Sequence, residues 1–210
     1  MFEINFDFTV EEKIINGSPI YIIDNFYKDV DLVLELFSSV DPRIHKENEK
    51  PSFNQIHFDD RRHSFSSQKI IKVYDFLSNI CGQKPNLNKN SVLTNCIRFK
   101  KNSFNDYQNN YWWPHIDFGY NGIVYLNKND VESGTNLYES LTSNTEPLNY
   151  PEHYQPWKSK SNYKLIHTIK PKFNRLVLFD GLKFLHGMNI CNDDYFGNKY
   201  RINQVFFFNP

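Results

Sequence analysis

The chain has 210 residues and not one alanine, but 19 Phe, 13 Tyr, 18 Ile and 27 Asn. A chain without the best helix former is a poor candidate for a helical bundle, and its aromatic and β-branched excess points to strands, although an AT-rich genome over-supplies the same residues. Lys+Arg and Asp+Glu balance at 24 each, which excludes the overall basic field of a non-specific nucleic-acid binder, and no apolar run approaches bilayer length.

Three widely spaced cysteines (Cys81, Cys96, Cys191) make neither a disulfide framework nor a zinc knuckle, and they suit a reducing compartment. The N-terminal MFEINFDFTVEEK is acidic and has no basic region followed by an apolar stretch, so the expected setting is the cytoplasm. One domain with a single sizeable core is the expected organisation over residues 1–210.

In chain order, SPIYIIDNFY alternates like a strand, with Pro19 at its entry and Asp24-Asn25 at its exit. Asp29 is the expected N-cap of a helix carrying Val30, Val33, Leu34 and Phe37 at helical spacing. The polar stretch from Asp41 to Arg62 reads as loop. A second helix follows over SSQKIIKVYDFLSNICG, with Ile70, Val73, Tyr74 and Leu77 on one face and Gly82 as its stop.

From residue 91 the pattern changes to short apolar runs between turn residues: SVLTNCIRFK, GIVYLN, TNLYES, YKLIHTIK, NRLVLFD and YRINQVFFF. Several strands after two helices predict a mainly β, α+β fold: an antiparallel sandwich or barrel over 91–210, with residues 1–90 supplying an N-terminal strand and supporting helices. Residues 141–162 break the pattern with three prolines and with Tyr150, Tyr154 and Trp157, which predicts an ordered lid.

Among seven histidines the strongest ligand pattern is His115-Ile116-Asp117. On extended backbone, residues i and i+2 project to one side, so this imidazole and carboxylate can chelate one ion. A second, distant His would complete two His and one carboxylate, a set that leaves coordination positions open and selects Fe(II). The triplet alone decides little, since about 0.5 copies are expected by chance. A second copy, His57-Phe58-Asp59, does occur, and its charged surroundings FDDRRH read as surface loop.

The residues around His115 carry more. His115 and Asp117 are followed by Tyr125-Leu126-Asn127, Ser133-Gly134-Thr135, then Pro171, Asn174-Arg175-Leu176 and His186, and finally Arg201 at the head of the last strand. In this order they resemble the Fe(II)/2-oxoglutarate-dependent oxygenases, specifically the prolyl-hydroxylase-like branch, over roughly residues 91–208. The chain is also similar to a phage and bacterial group of such proteins, for which the setting would be the host cytoplasm.

The resemblance implies a double-stranded β-helix, a jelly-roll or cupin-like fold, with Fe(II) on His115, Asp117 and His186. It implies 2-oxoglutarate as co-substrate, with Arg201 receiving its distal carboxylate through a bidentate fork and Tyr125 adding a hydroxyl, and O2 as oxidant. Arg201 stands 15 positions after His186, a longer gap than in prolyl hydroxylases, with Lys199 as a rival. Arg98 matches a family arginine without an assigned role. The retained Asp117 favours hydroxylation over halogenation.

The implied reaction hydroxylates a peptidyl residue, proline included, and releases succinate and CO2. A free amino acid or another small molecule stays open as substrate, and so does a non-catalytic β-helix that only binds. A nucleic-acid demethylase would carry a second Arg six residues beyond Arg201, where this chain has Phe207. Tyr107, Trp112 and Trp113 could line the approach to His115, and the segment 141–162, with Lys158, could set selectivity.

Overall fold

The computed structural model describes residues 2–39, 43–44, 53–59, 67–83, 91–99, 107–129, 132–142, 157–194 and 200–208. In chain order the strands are β1 (Val10–Ile15), β2 (Ser18–Ile23), β3 (Arg43–Ile44), β4 (Phe53–Asp59), β5 (Ser91–Phe99), β6 (Asn110–Trp112), β7 (Tyr120–Tyr125), β8 (Thr135–Ser140), β9 (Trp157–Ser159), β10 (Tyr163–Ile169), β11 (Arg175–Asp180), β12 (Leu185–Met188) and β13 (Arg201–Phe208). Among the described residues two α-helices, α1 (Val30–Ser39) and α2 (Ser67–Ile80), interrupt the N-terminal third.

An antiparallel sheet in the order β1-β2-β11-β7-β13-β5-β4-β3 faces a smaller sheet, β10-β8-β12. The chain crosses between them: β7 lies in the large sheet, β8 and β10 in the small one, β11 in the large, β12 in the small and β13 in the large. That winding is the double-stranded β-helix. An isolated bridge between His115 and His186 adds a fourth position to the small sheet beside β12.

Burial follows from place in the sheet. β13 is paired on both edges and covered on both faces, and its RINQVFFF is buried at six of eight positions. Its inward Val205 packs with Ile123, Tyr125, Val177, Phe179 and, from the small sheet, Leu137 and Ile169. The opposite face of the large sheet, with Val124, Leu176, Leu178 and Phe206, takes Val33 of α1 and Val73, Tyr74 and Leu77 of α2. The two helices therefore lie outside the barrel. At the free edge, β1 is largely exposed and carries Glu11, Glu12 and Lys13, which discourage further strand pairing.

Several expectations change. The stretch 41–62 is not all loop: β3 pairs with β4, and β4 pairs with β5 over Phe53–Asp59. His57 and Asp59 thus sit on a strand of the large sheet, in register with Asn95 and Leu93. Charges flanking Ile56 and Phe58 masked a strand that an available β5 edge recruits, which is tertiary context overriding local composition. The described residues of 1–90 also supply four strands rather than one. Of the expected lid, 143–156 lie outside the described residues, with Tyr150 and Tyr154. Trp157 and Lys158 belong to β9, which pairs with β6.

Candidate metal centre

His115 and His186 face each other as a hydrogen-bonded antiparallel pair. His115 N–H donates to His186 O at 2.9 Å, and His186 N–H donates to His115 O at 2.8 Å. Opposed residues of such a pair share a face, and the two imidazole centroids are 4.4 Å apart. Asp117, two residues beyond His115, turns to the same side. Its Oδ2 lies 3.6 Å from His115 Nε2 and 3.2 Å from His186 Nε2. Among the described residues this is the one group of three His, Cys, Asp or Glu whose ligand atoms all lie within 4.8 Å of one another.

The tautomers follow from the backbone. His115 Nδ1 is 2.7 Å from Trp113 O, and His186 Nδ1 is 2.9 Å from Phe184 O. A carbonyl can only accept, so each Nδ1 carries the proton and each Nε2 presents a lone pair. Two nitrogen lone pairs and a carboxylate oxygen therefore converge on one point, an arrangement that calls for a cation between them. Ligand atoms on neighbouring vertices of an octahedron with bonds of about 2.1 Å stand about 3 Å apart, and the observed 3.2 and 3.6 Å separations suit that closure. Two imidazoles and one carboxylate are the donor set of a facial Fe(II) site.

Electrostatics prepares the same forms. Burial alone would raise the Asp117 carboxyl, but whenever a neighbouring imidazole, His115 or His186, takes up a second proton at Nε2, its hydrogen bond and charge outweigh burial and hold the carboxyl far below the usual range. Burial, reinforced by His115, pushes His186 below the ordinary imidazole range, against the opposing pull of Asp117. An ionised carboxylate and a neutral imidazole are what a metal binds.

Local backbone holds this in place. Trp113 has φ of +42°, a strained value for a bulky residue, and its carbonyl is the one that fixes the His115 tautomer. A Cβ at Gly187, next to His186, would run into Trp112 O and stand 3.0 Å from Trp113 O, so only glycine lets these two segments meet. Trp112 itself is 4% exposed and packs edge-on against Trp157 beside Met188, which makes it core rather than part of an approach. The Trp113 ring is 5.2 Å from that of His115, and Phe118, directly after Asp117, is 73% exposed at the rim.

Eight residues beyond Asp117, on the inner face of β7, stands Tyr125. Its hydroxyl is 2.7 Å from Thr135 Oγ1, and the Arg201 guanidinium lies 5.7 Å over its ring. Arg201 is 5% exposed. It donates from Nε to Ser133 O at 2.9 Å, from Nη1 to Asn203 Oδ1 at 3.0 Å and from Nη2 to Gly134 O at 3.3 Å. The long interval after His186 thus still returns a buried, always-charged fork to the barrel interior beside Tyr125. Lys199 lies outside the described residues, and Arg98 is placed only as backbone on β5.

Other residues of the family-like pattern hold the scaffold. Asn127 bridges Ile202 N–H and Tyr200 O. Asn174, at φ of +61°, accepts from Tyr27 N–H and donates to Tyr27 O, and Arg175 pairs with Asp24 through two nitrogens at 2.6 and 3.1 Å. Sequence reasoning missed Asn121. This residue is 1% exposed, and its Nδ2 lies 2.8 Å from Asp117 Oδ2 and 3.1 Å from His186 Nε2. Counting back by twos from Tyr125 along β7 would have placed it on the inner face.

No helix among the described residues is long and apolar enough to cross a membrane. No family model matches the chain, and no curated protein matches it. Among solved structures it is similar to a bsmA homolog from Methylobium petroleophilum PM1, at 9% identity over 86% of this chain and 80% of that one, with a TM-score of 0.46. It is also similar to a Pseudomonas putida prolyl-4-hydroxylase, at 11% identity over 90% and 91% of the two chains and a TM-score of 0.43. A third likeness is to the non-heme alpha ketoglutarate dependent epimerase SnoN from nogalamycin biosynthesis, at 8% identity over 91% and 80%, with a TM-score of 0.46.

Proposed function

We propose that the protein is an Fe(II)- and 2-oxoglutarate-dependent dioxygenase, with His115, Asp117 and His186 as the metal ligands and Arg201 and Tyr125 as the anchor for the distal carboxylate of the co-substrate. The observation that carries this reading is the convergence of two Nε2 lone pairs and Asp117 Oδ2 on one point, with both Nδ1 protons committed to carbonyls. Bound there, iron and 2-oxoglutarate would supply the activation of O2 that hydroxylates a C–H bond, with succinate and CO2 as co-products.

The chain's own residues select and hold. Trp113 O and Phe184 O keep the imidazoles in the ligating tautomer. Arg201, buried against the Tyr125 ring and held by Ser133 O, Gly134 O and Asn203 Oδ1, keeps a fixed positive charge beside the Tyr125 and Thr135 hydroxyls, which attracts a carboxylate. The apolar belt of Ile123, Leu137, Phe179 and Val205 between the two polar ends excludes water from the interior.

The substrate we assign is a peptidyl residue, proline included, and the support for it is the sequence resemblance alone, because Asn127, Asn174 and Arg175 hold the scaffold. Incubating the protein with Fe(II), ascorbate, O2 and labelled 2-oxoglutarate, with proline-containing peptides or free amino acids, should give succinate above the protein-free control. Succinate should vanish in His115→Ala and Asp117→Ala and persist in His57→Ala. Succinate-free incubations by a protein that binds Fe(II) would favour a β-helix that only binds.

A further inference from the structure

Asn121 carries an observation that packing does not explain. Its amide is buried on β7, and the Nδ2 side is turned to the ligand cluster, 2.8 Å from Asp117 Oδ2. The other amide atom, Oδ1, is buried with no hydrogen-bond partner among the described residues. Flipping the amide would not help, because Oδ1 would then stand against the Asp117 carboxylate, acceptor to acceptor. The fold thus retains an orphaned acceptor in order to keep an N–H on one particular carboxylate oxygen. A buried unsatisfied group destabilises, and an apolar side chain of the same shape would remove it. Stability alone would not select asparagine here.

The oxygen that Asn121 holds is the one facing both imidazoles, at 3.2 and 3.6 Å. One of its lone pairs is engaged by the amide, which leaves one to point between the Nε2 atoms. The second amide proton lies toward His186 Nε2, at 3.1 Å, so in the absence of a cation the same group also covers that lone pair. We propose that Asn121 is a positioning residue that fixes Asp117 as a single-oxygen ligand and shields the converging lone pairs until an ion arrives. This rests on the metal-site reading above and adds a residue to it.

The test uses Co(II) as a spectroscopic probe of the full-length protein, titrated into wild type, Asn121→Leu, Asp117→Ala and the double variant, with a thermal melt of each metal-free protein. Outer residues that orient ligands typically account for 10- to 100-fold in metal affinity. Asn121→Leu should therefore weaken Co(II) binding about tenfold or more and alter its d–d absorption. The metal-free melting temperature should stay within about 4 °C of wild type, the shift of a change near 1 kcal/mol in a chain of this length. In the Asp117→Ala background the same substitution should have little further effect on affinity, because its action passes through Asp117.

Unchanged Co(II) affinity and spectrum in Asn121→Leu would overturn the proposal while leaving the metal site standing. A large loss of melting temperature, or an equal loss of affinity with and without Asp117, would make Asn121 a structural residue instead. Failure of the wild type to bind Co(II) would overturn the metal-site reading itself.

Discussion

Asn174→Ala offers a quantitative test of whether the family-like Asn-Arg-Leu segment is scaffold. In the structure Asn174 Oδ1 accepts from Tyr27 N–H at 2.9 Å, and Nδ2 donates to Tyr27 O at 2.8 Å. Tyr27 is 1% and Asn174 6% exposed, so water does not replace these bonds. Truncation leaves one backbone donor and one acceptor buried without partners, at about 1–3 kcal/mol each. It also places alanine at φ of +61°, a left-handed value that adds about 1 kcal/mol for a residue with a Cβ. The loss should total about 3–7 kcal/mol, a large fraction of an ordinary domain's stability. Urea unfolding followed by tryptophan fluorescence reads it as a lower midpoint at constant slope. Asn174→Gly loses the same two bonds without the φ penalty, so it should recover about 1 kcal/mol relative to alanine. An alanine variant within 1 kcal/mol of wild type, or a glycine variant no better than alanine, would refute the reasoning. So would a change in metal affinity of the folded Asn174 variants, since this amide holds the N-terminal loop and not the ligands.

Two further outcomes follow from charged groups. Arg201→Ala should raise the half-saturating 2-oxoglutarate concentration by about thirtyfold or more, the equivalent of losing a charged hydrogen-bonded pair of about 2 kcal/mol, with Fe(II) affinity retained; unchanged co-substrate dependence in a folded variant would move the role elsewhere. The Arg175 guanidinium beside Asp24, helped by Lys172 against the opposing effect of burial, holds the Asp24 carboxyl below its ordinary value. A folded-state value below the unfolded one of about 3.9 means that this stabilisation is complete above it and lost as pH falls through the folded value. Asp24 is partly exposed, so the contribution should be about 1 kcal/mol: the stability gap between wild type and Asp24→Asn should narrow by that amount from pH 7 to pH 2, and a gap constant over that range would contradict the assignment.

What the sequence disclosed depended on whether an element announces itself locally. The first helix did: Asp29 Oδ1 accepts from Leu32 N–H at 3.3 Å, as an N-cap does. The second ended where Gly82 takes φ of +65°. All six apolar runs after residue 91 became strands, and β11 and β13 are the plainest of them, because central strands covered on both faces must be apolar through most of their length. Unread were β1, an exposed edge whose Val-Glu-Glu-Lys-Ile-Ile does not alternate, and β12, four residues long with a glycine in it. The β6–β9 pair arises from Trp112 meeting Trp157 across 45 positions of sequence, which no window detects. Among the site residues, His115-Ile116-Asp117 was visible as a pattern and His186 through family resemblance. Asn121 was overlooked because an asparagine in a chain rich in asparagine gives no signal until its strand face is known.

The two copies of His-x-Asp show what turns a pattern into a candidate site. Both fall where the backbone pairs with a neighbour, His57-Phe58-Asp59 on β4 and His115 at an isolated bridge. His57 is in register with Asn95 on one side and Arg43 on the other, whereas His115 is in register with another histidine. That second imidazole arrives only because the chain has wound through β7, β8, β10 and β11 before β12 reaches the seam. Both rings are then set by a carbonyl two residues upstream, Trp113 O for His115 and Phe184 O for His186, so one local device fixes both tautomers. The strain at Trp113 and the missing Cβ at Gly187 fall within two residues of these histidines. Two of the backbone concessions among the described residues thus serve this seam directly, one through the carbonyl that sets a tautomer and one through the close approach of two segments.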